Sequence, residues 1–182
     1  MILFIQSNYL IFLSKQVRFT FIGRNADRFE KTVNGGYTKE NKIEMALYCM
    51  TYGRKAIHLL FVYMHPSSLQ TDNGNLLKSF LDEHLPGGSI STNRLYIIGD
   101  FNFDCHSHPM GHLPTRLRDL GLHSTMQEHR RTLRQKDNQV EGSISQIDWV
   151  FTNREPAMQN TYVYPTWYSD HAALFTEIIL RK

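Results

Sequence analysis

Cysteine is nearly absent: Cys49 and Cys105 are the only two in 182 residues. Two thiols cannot staple a secreted scaffold, so the chain reads as a protein of a reducing, intracellular compartment. A long apolar run is also lacking. The apolar start, Met1 to Leu13, is broken by Gln6, Ser7 and Asn8, has no basic lead or small-residue cleavage site, and is too short to span a bilayer. It reads as a buried strand and its following turn, with no membrane partner. Neither sign dominates: 20 basic against 17 acidic residues leave a net +3, compatible with a polyanionic partner without proving one. There are no internal repeats and no linker that would divide the chain. Residues 1–182 therefore read as one domain, with 41% hydrophobic and 20% charged residues, as in a globular protein with a sizeable core.

What is present is a succession of short apolar runs. Met1 to Ile5 reads as a strand that starts with no lead-in, as if earlier residues were missing. Val17 to Ile22 alternates as a second strand, and Asn25 to Asn41 is a polar loop around Asn34-Gly35-Gly36. Ile43 to Thr51 and Ala56 to Tyr63 pair as a hairpin across Tyr52-Gly53-Arg54-Lys55, the second run apolar enough for a central strand. Leu76, Leu77, Phe80, Leu81 and Leu85 recur at helical spacing, capped by Asp72 or Asn73 and stopped by Pro86-Gly87-Gly88. Pro114 to Leu120 reads as a second helix with Gly121 as its C-cap, and residues 124 to 143 as a polar, basic loop. Ile147 to Thr152 and Ala172 to Leu180 are the last strands. The order predicts an α/β two-sheet sandwich flanked by helices.

Three segments carry residues suited to chemistry. Leu95 to Ile98 is a strand, and Gly99 turns the chain so that Asp100 and Asn102 follow at its carboxyl end, where open α/β sheets gather functional groups. A carboxylate and an amide two residues apart suit a hard cation and phosphate; an ordinary Asp/Asn turn is the plain alternative. Asp148 falls inside a strand of large apolar residues and needs a partner, since a buried carboxylate left alone costs several kcal/mol. His171, at the entrance to the final strand, can supply one, and the Asp would then fix its tautomer. A core Asp–His pair without catalytic duty remains the alternative. Asp170 is left to face a metal or water. No Ser or Cys nucleophile sits among these groups, so the chemistry they suggest is attack by water, a divalent-metal-assisted hydrolysis of a phosphodiester.

Gly99-Asp-Phe-Asn102, Ile147-Asp-Trp-Val-Phe151 and Ser169-Asp-His-Ala-Ala-Leu174 resemble, in order, the last three motifs of the endonuclease/exonuclease/phosphatase superfamily. Tyr63 and Pro66 resemble its earlier Tyr-x-x-Pro turn. Gly121-Leu122, the polar loop and the Asp148 strand look most like the endonuclease domains of retroelements and Helitron-type transposons. The resemblance covers nearly the whole chain and implies a deoxyribonuclease-like fold. It implies that Asp100 orients or deprotonates the attacking water, and that Asn102 holds that water and the scissile phosphate. His171, backed by Asp148, would stabilise the developing charge or exchange a proton, and Tyr63 would hydrogen-bond a phosphate oxygen. Asp170 and Asp100 would hold Mg²⁺ or Mn²⁺.

The chain departs from the family at its start. Ile2 to Leu10 resembles the strand that ends Gln-Glu in the family, with Ser7 where the metal-binding Glu is expected, and the family's earlier Asn-bearing strand has no counterpart. Serine is a far weaker Mg²⁺ ligand than a carboxylate. The expectation is thus a domain that lacks the family's first strand, either truncated at its N-terminus or a decayed copy. Elsewhere, Cys105-His-Ser-His-Pro-Met-Gly-His112 matches no ordinary zinc spacing and reads as a solvated loop. His129 to Lys136 is a basic run in which Arg130, Arg131 and Arg134 suit DNA phosphates, or form a merely solvated face. Trp167 could stack on a base or sugar, or simply pack.

The expected function is Mg²⁺-dependent nicking of DNA by a domain of mobile-element origin. Such a domain would be nuclear if it acts on genomic DNA, and once fused to a reverse transcriptase or helicase. Two rivals stand beside it. One is a silent nucleic-acid-binding remnant, motivated by Ser7; the other is the same fold acting on a non-DNA phosphate ester.

Overall fold

The computed structural model describes residues 2–6, 9–12, 17–25, 43–65, 70–105, 111–126, 128, 131–133, 146–154, 159–164 and 170–178. Among the described residues, ten strands fall into two sheets. They are β1 (Ile2–Gln6), β2 (Tyr9–Phe12), β3 (Val17–Asn25), β4 (Ile43–Tyr52), β5 (Lys55–Met64), β6 (Leu95–Asp100), β7 (His123–Ser124), β8 (Asp148–Thr152), β9 (Gln159–Tyr164) and β10 (Ala173–Ile178). The larger sheet runs β3-β4-β5-β6-β8-β7 and the smaller β2-β1-β10-β9. They meet where β8 touches β10. This is the α/β two-sheet architecture expected of the sequence.

The centre of the larger sheet is β5, β6 and β8. Leu59 and Leu60, Ile97 and Ile98, and Val150 are all buried to 1% exposure or less. Strands covered on both faces read as continuous apolar runs rather than alternating ones. The β5–β6 pair is parallel, with Phe61 opposite Ile98 and Tyr63 opposite Asp100; every other pairing in the sheet is antiparallel. A parallel pair needs a crossover, and helix α1 (Gln70–His84) supplies it. Its Leu77 and Leu81 are fully buried, and it packs on β3, β4 and α2 (His112–Asp119). The α2 helix ends as its sequence predicts. Gly121 adopts φ +71°, its N–H reaches Arg118 O at 2.8 Å, and the Leu122 N–H reaches Leu117 O at 3.0 Å. These are the paired bonds of a left-handed glycine stop.

Several elements differ from the sequence reading, and tertiary contacts explain three of the differences. The second strand runs on past Ile22 to Asn25, because the Asn25 side chain donates to Ile43 O (2.7 Å) and accepts from Met45 N (2.6 Å). The start of the chain is a strand pair rather than a strand and a turn: β1 pairs with β2, Gln6 opposite Tyr9. β9 has no counterpart in the sequence reading; it is an edge strand, held by pairing to β10 from Ala173–Tyr164 to Ile178–Gln159. α1 begins at Gln70, ahead of the expected Asp72 or Asn73 cap. No described helix is long and apolar enough to cross a membrane.

Candidate active site

The register of the three central strands builds one row of polar side chains. Tyr63 lies opposite Asp100, and Asp100 opposite Asp148, at the same end of β5, β6 and β8. Residues paired across neighbouring strands point to the same face, so the three side chains share it. Gly99 makes this possible. Its φ of +151° and its approach to β5 leave no room for a side chain, since a Cβ there would stand 1.8 Å from Val62 O.

Beyond Asp100 the chain turns through Asn102, the one non-glycine residue with positive φ (+46°) among those described. Asparagine tolerates this conformation better than most residues. Its backbone N–H donates to Asp100 Oδ1 (2.8 Å), and its side-chain Nδ2 donates to Asp100 Oδ2 (3.1 Å) and Met64 O (2.7 Å). Each Asp100 oxygen is thereby held, and the turn is tied to the end of β5. Trp149, buried on the opposite face of β8, donates from Nε1 to Phe103 O at 3.0 Å and secures the far side of the same turn.

The second half of the site joins the two sheets. His171, just ahead of β10, places Nδ1 2.9 Å from Asp148 Oδ2. An ionised carboxylate only accepts, so Nδ1 carries the proton and the tautomer is fixed. Asp148 is 6% exposed, and this bond gives the buried carboxylate the partner it requires. Ligand-capable atoms of Asp100, Asp148 and His171 all lie within 4.8 Å of one another. The sequence segments therefore converge.

Electrostatics follow from that crowding. Burial, and next the Asp148 charge, push Asp100 up to about 6, against the opposing pull of the Asn102 N–H. The hydrogen bond to Asp148 raises His171 to about 9; burial opposes it, and the charges of Asp148, Asp100 and Asp170 add to it. Asp170 is exposed and is not one of the three clustered groups, but its charge reaches both Asp100 and His171. Tyr63 is 39% exposed at the end of the row. Arg131 is exposed, whereas Ser7, Pro66, Arg130, Arg134, Trp167 and the histidines between Cys105 and Gly111 lie outside the described residues.

The donor set fits a hard divalent cation. Two carboxylates supply oxygens, each with lone pairs beyond the bonds already counted, and a cation would offset the burial and the Asp148 charge that make Asp100 hard to ionise. His171 Nδ1 is committed to Asp148, so the imidazole enters this half as a hydrogen-bonding group.

Sequence reasoning missed Thr132. This buried residue accepts at Oγ1 from Ile147 N (2.9 Å) and Asp148 N (3.0 Å), and its carbonyl accepts from Ala172 N (2.7 Å). A threonine inside a polar, basic run carries no local signal of this; only the fold brings residues 15 and 16 positions away against it.

No protein-family model matches the chain, and no curated protein matches it in sequence. Solved structures do match its fold. The endonuclease domain of TRAS1, a telomere-specific non-LTR retrotransposon, superposes with a TM-score of 0.60 at 16% identity, covering 93% of this chain and 81% of that one. An endonuclease/exonuclease/phosphatase family protein from Leptotrichia buccalis gives 0.53 at 16% identity, covering 91% of this chain; the chain spans only 62% of that protein. Sphingomyelinase C from Streptomyces griseocarneus gives 0.54 at 14% identity, over 75% and 57%. The chain has the endonuclease/exonuclease/phosphatase fold.

Proposed function

We propose that this chain hydrolyses phosphodiesters with a divalent cation, Mg²⁺ or Mn²⁺, and that its substrate is DNA, which it nicks as an endonuclease domain of mobile-element origin. The observation that carries the reading is the convergence of Asp100, Asp148 and His171 at one end of the central strands. The TRAS1 likeness supports the choice of DNA, as does the basic run that holds Arg130, Arg131 and Arg134.

Asp100 faces the attacking water as its orienting group and base, held by Asn102 so that its oxygens do not turn away. Asp148 keeps the proton on His171 Nδ1, and the imidazolium stabilises negative charge as it develops on the phosphoryl oxygens. Tyr63, at the open end of the row, hydrogen-bonds a phosphate oxygen, and Trp167 stacks on the substrate. Asp100, with Asp170 nearby, would hold the divalent cation, which would supply charge neutralisation at the phosphate and polarisation of its P–O bond. Such a domain, once fused to a reverse transcriptase or helicase, would work in the nucleus if it acts on genomic DNA.

Supercoiled plasmid with Mg²⁺ tests this. Conversion to open circles, lost in Asp100→Ala and His171→Ala, is the expected result. No nicking above those variants would end the enzyme claim. Ser7, in place of an expected carboxylate, favours a second reading: a silent nucleic-acid-binding remnant. Calorimetric Mg²⁺ titration of the chain and of Ser7→Glu separates the two, since tight and equal binding argues against decay.

A further inference from the structure

Thr132 lies between the two catalytic segments without being one of the groups that would meet substrate. Its hydroxyl oxygen takes the N–H groups of both Ile147 and Asp148, at 2.9 and 3.0 Å. These are the residues at which β8 begins, and Ile147 O is already held by the Phe101 N–H at 2.8 Å. The same residue's carbonyl takes the Ala172 N–H at 2.7 Å, and its neighbour Leu133 forms a β-bridge with His171. One residue thus fixes the backbone beneath Asp148 in the larger sheet and the backbone beside His171 at the edge of the smaller one.

We propose that Thr132 is a positioning residue that sets the 2.9 Å separation of the Asp148–His171 pair, and that it couples this pair to the basic segment beginning at Arg130. The relative placement of two sheets is not fixed by either sheet's own ladder. Asp148 opens β8 of the larger sheet and His171 stands just ahead of β10 of the smaller one, so a shift of either backbone by a fraction of an ångström would lengthen a bond whose value depends on its geometry. Among the described contacts, the Thr132 hydroxyl and carbonyl are what join both backbones to a common third strand of chain. Arg131 is exposed immediately before Thr132, so a phosphate bound there pulls on the residue that aligns the pair. Engagement of the substrate backbone then reports directly to the imidazole.

The catalytic part of this inference rests on the proposed hydrolysis, but the positioning part does not, and the experiment separates them. Thr132→Val removes the hydroxyl at nearly constant volume, and Thr132→Ser restores it. In the wild type, the His171 Nδ1 proton is expected as a low-field proton resonance that disappears in Asp148→Asn, and the Ile147 and Asp148 amides are expected to be as protected from exchange as those inside β8. Thr132→Val should broaden or shift the low-field signal and expose both amides, while Thr132→Ser keeps them. On plasmid, Thr132→Val should lower kcat about 10- to 100-fold with little change in KM, and Thr132→Ser should recover most of it.

If Thr132→Val fails to fold, wild-type amide protection decides: fast exchange at Ile147 and Asp148 overturns the proposal. A folded Thr132→Val that keeps the resonance also overturns it, whether or not the chain nicks DNA. Absence of nicking with the resonance behaving as stated leaves the positioning role standing and removes only the proposed activity.

Discussion

Asp100 is held by a residue two positions away, whereas Asp148 is held by one 23 positions away, at the entrance to the other sheet. The first half of the site is a turn. Its bonds close within Asp100–Asn102 and one carbonyl of the adjacent strand, and they would form wherever that turn was seated. The second half exists only once both sheets are assembled, with Thr132 tying them together. A local device can hold a carboxylate steady; bringing a charge partner to it takes the whole fold. The two halves should therefore respond differently when the molecule is perturbed.

The largest effect is expected in the local half. Asp100→Ala should reduce nicking by about 10³-fold or more, a loss typical of removing a general base. It should not reduce stability in step, because Asp100 is a carboxylate that burial and Asp148 make hard to ionise. A thermal midpoint equal to or above the wild type checks this; a collapse would show that the turn depends on the carboxylate for folding. His171→Ala should behave in the opposite way. Its activity should fall by about 10²-fold, and the Asp148 carboxylate left buried without its partner should cost about 3 kcal/mol in chemical denaturation. Equal stability costs in the two variants would erase the distinction drawn here.

A smaller effect is expected from pH. In the folded chain His171 titrates at about 9 against an ordinary 6.5, so the pair's stabilisation is complete below pH 6.5 and is lost as pH rises to about 9. Asp100, raised to about 6 from 3.8, favours the folded state in its protonated form, and that contribution is lost between those two values. In metal-free buffer the stability gap between wild type and His171→Ala should therefore narrow from pH 6.5 to 9, as denaturation curves would record. A gap that widens would reverse the sign assigned to the pair. The smallest effect should come from Arg131→Ala. It should weaken DNA binding, lower the slope of log affinity against log salt by about one, and, through Thr132, lower the rate at saturating DNA by less than Thr132→Val does.

The two halves also differ in how far they could be read from sequence. Gly99-Asp-Phe-Asn102 is legible because its logic is local: an apolar strand, a glycine that must approach Val62, and an asparagine that tolerates positive φ. The pairing of Asp148 with His171 was legible more weakly, from the cost of a carboxylate in an apolar strand. Its geometry was not. Thr132 sits in a polar run whose composition says only loop, and β9 is a strand whose tyrosines at 162 and 164 stay largely exposed, so no buried alternation announces it. β1 and β2 hid for a related reason: an apolar start reads equally as one strand and a turn until its partners, β10 on one side and β2 itself on the other, are in place.

Paramagnetic Mn²⁺ offers the most direct measurement. Added in substoichiometric amounts to isotope-labelled protein, it should broaden the resonances of Asp100, Asn102, Asp148 and His171 first and together, and excess Mg²⁺ should restore them. Broadening confined to other residues, or none at these four while the chain stays folded, would contradict the claim that these groups gather around one cation.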